Sequence, residues 1–327
     1  MFPNPSITDI IATTIEFRSP TIADNMLSSN VLYAYLKAKG RAKSIDGGSS
    51  IIEPLFFAEN PNGQWYSGAD YLSLAASEDV SGASFQFAQC AVPVVIVGLD
   101  KLKNAGKEKK LDLVEARLEV GEKTMQNLLG GAVHSDGTGF GGKQMTGMAA
   151  AVPTAPTAGT YGGINRALST MWRPQLVAPG TGVITAANIN QHMNALWVKT
   201  LRGKEHPHVI LAGDNLWNLY SQFLQERQRF AGSESAGLGF PTLRFQQADV
   251  VLDGGITLGS GAALDVNTML FLNLDYIFFR SHKDRNMVPL NPGRRYAVNQ
   301  DVEAQILVWA GNITANGQIF HGRLHNN

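Results

Sequence analysis

The sequence predicts a mixed α+β fold, and three stretches carry that prediction. Gly47 to Ala75 reads as a long β-hairpin. Two extended, aromatic-rich runs, Ile51 to Ala58 and Gln64 to Leu72, flank Glu59-Asn60-Pro61-Asn62-Gly63, whose Asn-Gly pair supplies the positive φ of a tight reversal. Lys107 to Leu129 reads as one long helix, and His208 to Phe230 as strand, cap and helix, the mark of an α/β layer. A two-stranded hairpin has one face to bury and two open edges, and is marginal in water by itself. It is either an arm laid over another surface or an ordinary hairpin folded onto its own domain.

Composition narrows the class. The chain has 327 residues, enough for one large or two medium units with a real core. Charged residues are 17%, below the roughly 25% usual for soluble proteins, and apolar residues are 44%. A polar but weakly charged surface suits a protein whose outside largely meets other protein, because charge is depleted at interface cores. Lys plus Arg equals Asp plus Glu at 27 each, so no global basicity announces a nucleic-acid binder. Cys90 is the only cysteine, which excludes an intramolecular disulfide framework and a cysteine-rich zinc site and leaves a buried free thiol as its simplest reading. The start, Met1-Phe2-Pro3-Asn4-Pro5-Ser6, lacks the basic and apolar regions of a signal peptide. The longest apolar runs, Ala91 to Leu99 and Met269 to Phe279, fall far short of the ~20 residues that span a bilayer, so a soluble, intracellularly made protein is expected.

In chain order, residues 1–46 mix isolated apolar positions with a short helix from Met26 to Lys37, an arm that packs on a larger surface. Ala83 to Val97 is strand-like, its alternation giving way to a β-branched run. In the long helix Leu111, Val114, Leu118, Met125 and Leu128 share one stripe, with Gly121 among them to permit a close backbone approach. At ~1.5 Å per residue the helix is roughly 35 Å long, and Gly130-Gly131 is expected to stop it. Residues 131–163 read as glycine- and alanine-rich loop. Thr185 to Leu201 is a second helix with Thr185 as N-cap. His208 to Ala212 is a buried strand, and Asp214 caps a helix from Asn215 to Phe230. Beyond a loop at Gly232 to Gly239, strands are expected at Leu243 to Phe245, Val250 to Leu252, Met269 to Leu274, Val302 to Trp309 and Gln318 to Leu324.

Three chemical sites suggest themselves and fail for separate reasons, which argues against an enzyme. Gly137 to Gln144 has the glycine and lysine spacing of a phosphate-binding loop, but Gln144 stands where Ser or Thr must reach Mg²⁺, and a helix rather than a buried strand precedes it. His206-Pro207-His208, beside Glu205, offers two imidazoles, but the extended backbone that Pro207 imposes makes the rings diverge, and no second cluster completes a metal site. His134-Ser135-Asp136 contains triad residue types, yet adjacency in sequence is not triad geometry, and no nucleophile elbow occurs. Asp112, Glu115, Glu119 and Glu122 near Lys109, Lys110 and Lys123 read as a solvated, ion-paired helix face.

The order of parts is an extended amino-terminal arm, a long hairpin, a strand leading into one long helix, a glycine-rich passage, an α/β unit and a closing pair of strands. That order resembles the major capsid proteins of tailed bacteriophages, the Hong Kong 97-like fold. Local wording is similar as well: IDGGSSIIEPLFFAEN and YSGADYLS in the hairpin, LDLVEARLEVGEKTMQNLL in the helix, HSDGTG after it and TYGGINR before the α/β unit. The resemblance covers nearly the whole chain and rests on order and texture rather than on a catalytic motif. It implies an N-terminal arm at 1–46, an E-loop hairpin at 47–80 and a peripheral domain at 81–165 with its spine helix at 107–129. It further implies an axial domain at 166–285, with the helix Asn215 to Phe230 and the loop Gly232 to Gly239 near capsomer centres, and a return to the peripheral domain at 286–327.

The function so implied is a structural subunit that self-assembles as pentamers and hexamers into an icosahedral phage head around double-stranded DNA, made in the host cytoplasm and resident in the virion. No catalytic residue, cofactor, metal or membrane contact is expected. Scaffolding, portal and cement proteins are the expected partners. Phe56, Phe57, Trp65, Tyr66 and Tyr71 become the intersubunit anchors of the hairpin, since aromatic residues dominate interface hot spots. Lys37, Lys39, Arg41 and Lys43, with Lys101, Lys103, Lys107, Lys109 and Lys110, become candidates for non-specific DNA contact. Two departures from the family matter. Met1 begins almost directly at the arm, so any scaffold is expected as a separate protein, and Gly47 to Ala75 contains no lysine, so an isopeptide weld through the hairpin has no donor. The alternatives are an encapsulin-like compartment on the same fold and a nucleotide-using enzyme built on the Gly137 loop.

Overall fold

The structure, a computed structural model, describes residues 30–56, 62–72, 80–97, 107–180, 182–226, 242–253, 264–290 and 302–326. Its first element is helix α1 (Val31–Ala38), capped by Asn30, whose Oδ1 accepts a hydrogen bond from Tyr33 N at 3.1 Å. Val31, Leu32, Tyr35 and Leu36 make its buried stripe. The expected start at Met26, like everything else before residue 30, lies outside the described residues. Strand β1 (Ala42–Ile45) follows, then β2 (Ile51–Phe56).

The hairpin differs from expectation in its return strand. β2 pairs antiparallel with β3 (Val80–Phe85), from Ile51 opposite Phe85 to Phe56 opposite Val80. Gln64 to Leu72 forms no strand. A strand register holds where one face is buried. Ala83 and Phe85 of β3 bury beside Ile51 and Leu55, whereas Trp65, Tyr66 and Tyr71 find nothing to cover them. The left-handed turn in the described part of this arm comes at Gly68, φ 63°, not at Gly63. The single strand expected from Ala83 to Val97 breaks at Gln86-Phe87 into β3 and β4 (Ala88–Val97), where Asn312 Nδ2 donates to Gln86 O at 2.7 Å.

Helix α2 (Lys107–Val133) is the long helix, and it runs through Gly130-Gly131. Gly costs about 1 kcal/mol of helix propensity at each such place, but Leu129, Ala132 and Val133 bury there and packing wins. Leu118, Met125 and Leu129 are fully buried, so Leu129 takes the place expected for Leu128, which is only partly buried. Two short strands, β5 (Thr160–Tyr161) and β6 (Ile164–Asn165), form a small hairpin, and β7 (Gln175–Val177) follows. Helix α3 (Ile189–Thr200) starts four residues later than expected. Thr185 does not cap it. Asn188 Oδ1 instead accepts from Thr185 N at 2.7 Å and closes a turn ahead of the helix.

The α/β unit is present as expected: β8 (Val209–Ala212), helix α4 (Asp214–Glu226), β9 (Thr242–Phe245) and β10 (Ala248–Leu252). Phe230 and the loop Gly232 to Gly239 lie outside the described residues. The chain closes with β11 (Thr268–Leu272), β12 (Ile277–Pro289), β13 (Val302–Ala315) and β14 (Gly322–His325). β12 has no counterpart among the expected strands. Gln318 to Phe320 is a 3₁₀ turn, so the last strand begins only at Gly322.

Two sheets organise these strands. One has the order β1-β12-β13-β4, the other β7-β14-β11-β8-β10-β9. The closing segment is divided between them, β13 in the first and β14 in the second. β4 is an edge strand, where Pro93 removes no bond that a neighbour needs. Helix α2 lies along it. In the six-stranded sheet β8 and β11 are buried throughout, as central strands are. Their alternate residues serve two cores: Val209, Leu211, Leu270 and Leu272 join the core that includes α1, α2 and the four-stranded sheet, while Ile210, Ala212, Met269 and Phe271 pack with α3 and α4. Aromatic rings tie α1 to the first sheet, with Tyr33 edge-on to Phe279 at 5.0 Å and Phe279 at 5.6 Å from Trp309.

At Gly121 α2 packs closely on β4, as its place in the apolar stripe predicted. A Cβ there would stand 2.9 Å from Val94 Cγ2, against a buried valine with little room to give. Gly121→Val is expected to lower unfolding stability by roughly 1–3 kcal/mol through overpacking, read from urea denaturation midpoints.

Candidate functional site

The feature that stands out from this body is the arm made by β2, β3 and the segment between them. In β2, Ile51, Glu53 and Leu55 face inward while Ile52 and Pro54 are exposed. Beyond the strands, residues 62–72 close on themselves. Gln64 Nε2 donates to Tyr71 O at 2.8 Å, and Ser67 N donates to Asp70 Oδ2 at 2.8 Å. This closed loop displays its aromatics: relative exposure is 103% for Trp65, 64% for Tyr66 and 89% for Tyr71. Of the five aromatics singled out from the sequence, these three come together at the arm's end. Phe56 ends β2 opposite Val80, and Phe57 lies outside the described residues. Ile52 and Leu72 add exposed apolar surface that sequence reading passed over.

At its base the arm is fixed to the four-stranded sheet by an ion pair between a buried carboxylate and a partly buried guanidinium. Glu53 is 3% exposed. Arg280 on β12 donates to it twice, Nε to Oε1 at 2.7 Å and Nη2 to Oε2 at 3.0 Å, and Thr314 Oγ1 on β13 donates to Oε1 at 2.8 Å. Arg280 also lies 4.7 Å from the Phe278 ring centroid. On β3, Ser84 N donates to Gly162 O at 2.9 Å. Neither Glu53 nor Arg280 was among the residues expected to matter, because a carboxylate between two apolar positions has no distinctive spacing.

The basic candidates separate. Arg41 and Lys39 both reach Asp275, at 2.9 and 3.9 Å, and Arg41 also covers the Phe278 ring, so these cations serve an internal junction. Lys37 and Lys43 are exposed. Lys101 and Lys103 lie outside the described residues, and Lys107, Lys109 and Lys110 occupy the first turn of α2. Further along that helix, Lys123 and Glu119 form the exposed i,i+4 pair expected of a solvated face, at 2.7 Å.

The three chemical sequences have structural employment. In His134-Ser135-Asp136 the side chains part: His134 Nε2 lies 3.0 Å from buried Asp253, Ser135 Oγ donates to Met145 O at 2.7 Å, and Asp136 accepts from Thr138 N and Oγ1 at 2.9 and 2.7 Å. Those two bonds hold the Asp136 carboxyl below its usual range. The Gly137 loop follows α2 directly, and the Gln144 side chain folds over Gly139. His206 and His208 do not diverge as expected. Their ring centroids are 5.0 Å apart, because Trp197 stacks on the first ring at 5.9 Å and Asp275 approaches the second at 3.6 Å. Among the described residues no group of three or more His, Cys, Asp or Glu side chains is disposed to hold a metal. Cys90, expected to be buried, is half-buried on β4, a free thiol whose pKa burial pushes up.

Asp275 sits between β11 and β12, where the chain passes from one sheet to the other. Burial pushes its carboxyl up, but the Arg41 bond and the nearby charges of Lys39, His208 and Arg41 outweigh that and hold it below its usual value. His208 moves down, through burial first and then the charge of Lys39, with His206 adding to the effect and Asp275 opposing it. His321, fully buried beside this link, accepts from Asn273 N through Nδ1 at 3.3 Å, and burial pushes it down to about 3.

No protein-family model and no curated protein sequence matches the chain. Solved structures do. The chain superposes on one from the cyanophage A-1(L) capsid asymmetric unit with a TM-score of 0.59 at 18% identity, covering 88% of this chain and 90% of that one. The capsid of an empty GTA particle gives 0.58 at 13%, covering 88% of each. The holo-SrpI encapsulin complex from Synechococcus elongatus PCC 7942 gives 0.50 at 9%, covering 75% of each. The chain has the α+β fold of phage capsid proteins, shared by an encapsulin. No helix among the described residues is long and apolar enough to cross a membrane.

The two depressed histidines set an acid dependence. Each is held neutral in the folded state, while in the unfolded chain it takes up a proton below its ordinary 6.5. The contribution of these histidines is therefore complete above pH 6.5 and is lost as pH drops toward the folded value of His321, about 3. Urea midpoints followed downward from pH 6.5 should show this decline, and His321→Asn should flatten it.

Proposed function

We propose that this chain is the major capsid subunit of a tailed-phage head, a structural protein without enzymatic activity, whose copies join as pentamers and hexamers into an icosahedral shell around double-stranded DNA. The observation that carries the reading is the arm: a ribbon fastened at its base to a well-packed body and ending in Trp65, Tyr66 and Tyr71, all exposed. A lone subunit leaves that apolar surface in water. A neighbouring copy covers it, and the pairing that costs the free subunit solubility then drives association. Interfaces of this obligate kind bury roughly 2,000 Å² or more. The fold shared with capsid chains supports the same conclusion.

In this reading the four-stranded sheet with α2 is the peripheral part of the subunit and the six-stranded sheet with α3 and α4 the axial part. Lys37 and Lys43, with the lysines at the start of α2, are the DNA-facing candidates. Balanced formal charge makes that contact weak and salt-sensitive. Scaffolding, portal and cement proteins are the partners this reading implies, and assembly takes place in the host cytoplasm. The encapsulin neighbour supports a second reading, a protein compartment that holds cargo protein. Particles that carry DNA decide for the phage head, and particles with a co-purifying enzyme for the compartment.

Replacing Trp65 and Tyr66 together with Ala is expected to leave a folded subunit that forms no shells, judged by negative-stain microscopy and size-exclusion chromatography against the wild-type chain. Normal shells from the double variant would remove the arm from the interface.

A further inference from the structure

The ribbon and the sheet it lies on are separate hydrogen-bonded units. β2 and β3 pair with each other, and β13, against which both lie, pairs with β12 and β4. The ribbon's hold on the body is therefore side-chain packing, together with the short passage from β3 into β4, where Asn312 Nδ2 donates to Gln86 O at 2.7 Å, and the Ser84 bond to Gly162 on β3. Packing by Ile51 and Leu55 is non-directional and tolerates a slide or a rotation. Glu53 lies between those two residues on the inward face, where pattern alone would place another apolar side chain. Its two oxygens take three hydrogen bonds from donors on two strands: the flat guanidinium of Arg280, which dictates a plane and a direction, and the hydroxyl of Thr314. A shift of β2 by one residue turns Glu53 outward and brings Ile52 or Pro54 to Arg280, leaving a partly buried guanidinium without its carboxylate acceptor.

We propose that Glu53 and Arg280 are a positioning pair that fixes the direction in which the arm leaves the subunit, and that they are needed for copies to join rather than for the subunit to fold. The physical basis is the contrast between directional and non-directional burial. Two apolar residues can fill the same volume as a buried ion pair without loss of stability, but they specify no angle. The shell-forming part of the proposal rests on the proposed function, and the directional part stands without it.

The test compares the wild-type chain, the apolar replacement Glu53→Leu with Arg280→Met and Thr314→Val, and the exchanged pair Glu53→Arg with Arg280→Glu. Each is measured for its urea midpoint, for shells by negative-stain microscopy and, in a Cys90→Ser background with Ser81→Cys and Val120→Cys, for the spin-label distance between the ribbon's outer end and α2. The expected results are an apolar variant with a wild-type midpoint, at least tenfold fewer shells and a distance distribution visibly broader than the narrow one of the wild type. The exchanged pair should narrow the distribution again and restore shells. An apolar variant that does not fold shows the pair to be structural and overturns the proposal, as does one that folds and keeps a narrow distribution. A broad distribution in the wild type overturns it too. If the wild type makes no shells while the distances behave as expected, the proposed function fails and the directional role of the pair stands.

Discussion

Four residues, Asn273 to Tyr276, take the chain out of the six-stranded sheet and into the four-stranded one, and the relation between the two layers depends on them. A link this short leaves little freedom, and what remains is removed by polar contacts from distant parts of the sequence. Asn273, wholly buried, accepts from Asp275 N through Oδ1 at 3.0 Å, donates from Nδ2 to Glu205 at 3.0 Å and from its backbone N to His321. Asp275 gathers Arg41, Lys39 and His208. The entry to β1, the approach to β8 and the turn before β14 therefore meet at one crossing. Because β8 and β11 present one face to each core, a change at this crossing is felt in both.

Under the proposed function, this arrangement suits a subunit that must hold its shape while its neighbours pull on it. The body is knitted by long antiparallel pairing, β12 with β13 and β13 with β4, and by a helix of 27 residues that packs on the sheet through a glycine. The arm is built in the opposite way: two paired strands, a loop closed on itself, and apolar side chains that the subunit does not cover. Rigidity in the body and unpaid burial in the arm are complementary, since association is favourable only when little order has to be created at the moment of contact. Low overall charge fits the same picture.

Some elements were legible because one local signal dominated. The stripe through Leu118, Gly121 and Met125 marks α2, and the unbroken run Val209 to Ala212 marks a strand buried on both faces. Where two signals competed, the local one lost. Gly130-Gly131 is a stop by propensity, yet α2 continues because the residues on either side bury. Asn62-Gly63 is a turn by chemistry and Asn62 does lie in a turn, yet the strand that pairs with β2 is β3, whose Ala83 and Phe85 bury, and not Gln64 to Leu72. β12 escaped notice because it is irregular: its pairing with β13 shifts register between Ser281 and Asn286 and again before Val288, and Met287 takes φ 60°. Of the candidate site, the exposed aromatics of the arm could be read from composition, whereas the Glu53 and Arg280 anchor could not.

By itself the sequence determined the kinds of element, the order of parts and the presence of an aromatic arm, because periodicity, capping and side-chain chemistry act over a few neighbouring residues. The tertiary structure alone decided which strand pairs with β2 in the arm, that β13 and β14 divide between two sheets, and which charges meet. Glu53 and Arg280 are 227 positions apart, and Arg41 and Asp275 are 234. Separations of that size leave no periodic trace in a chain, and only the packed fold brings such groups within reach of one another.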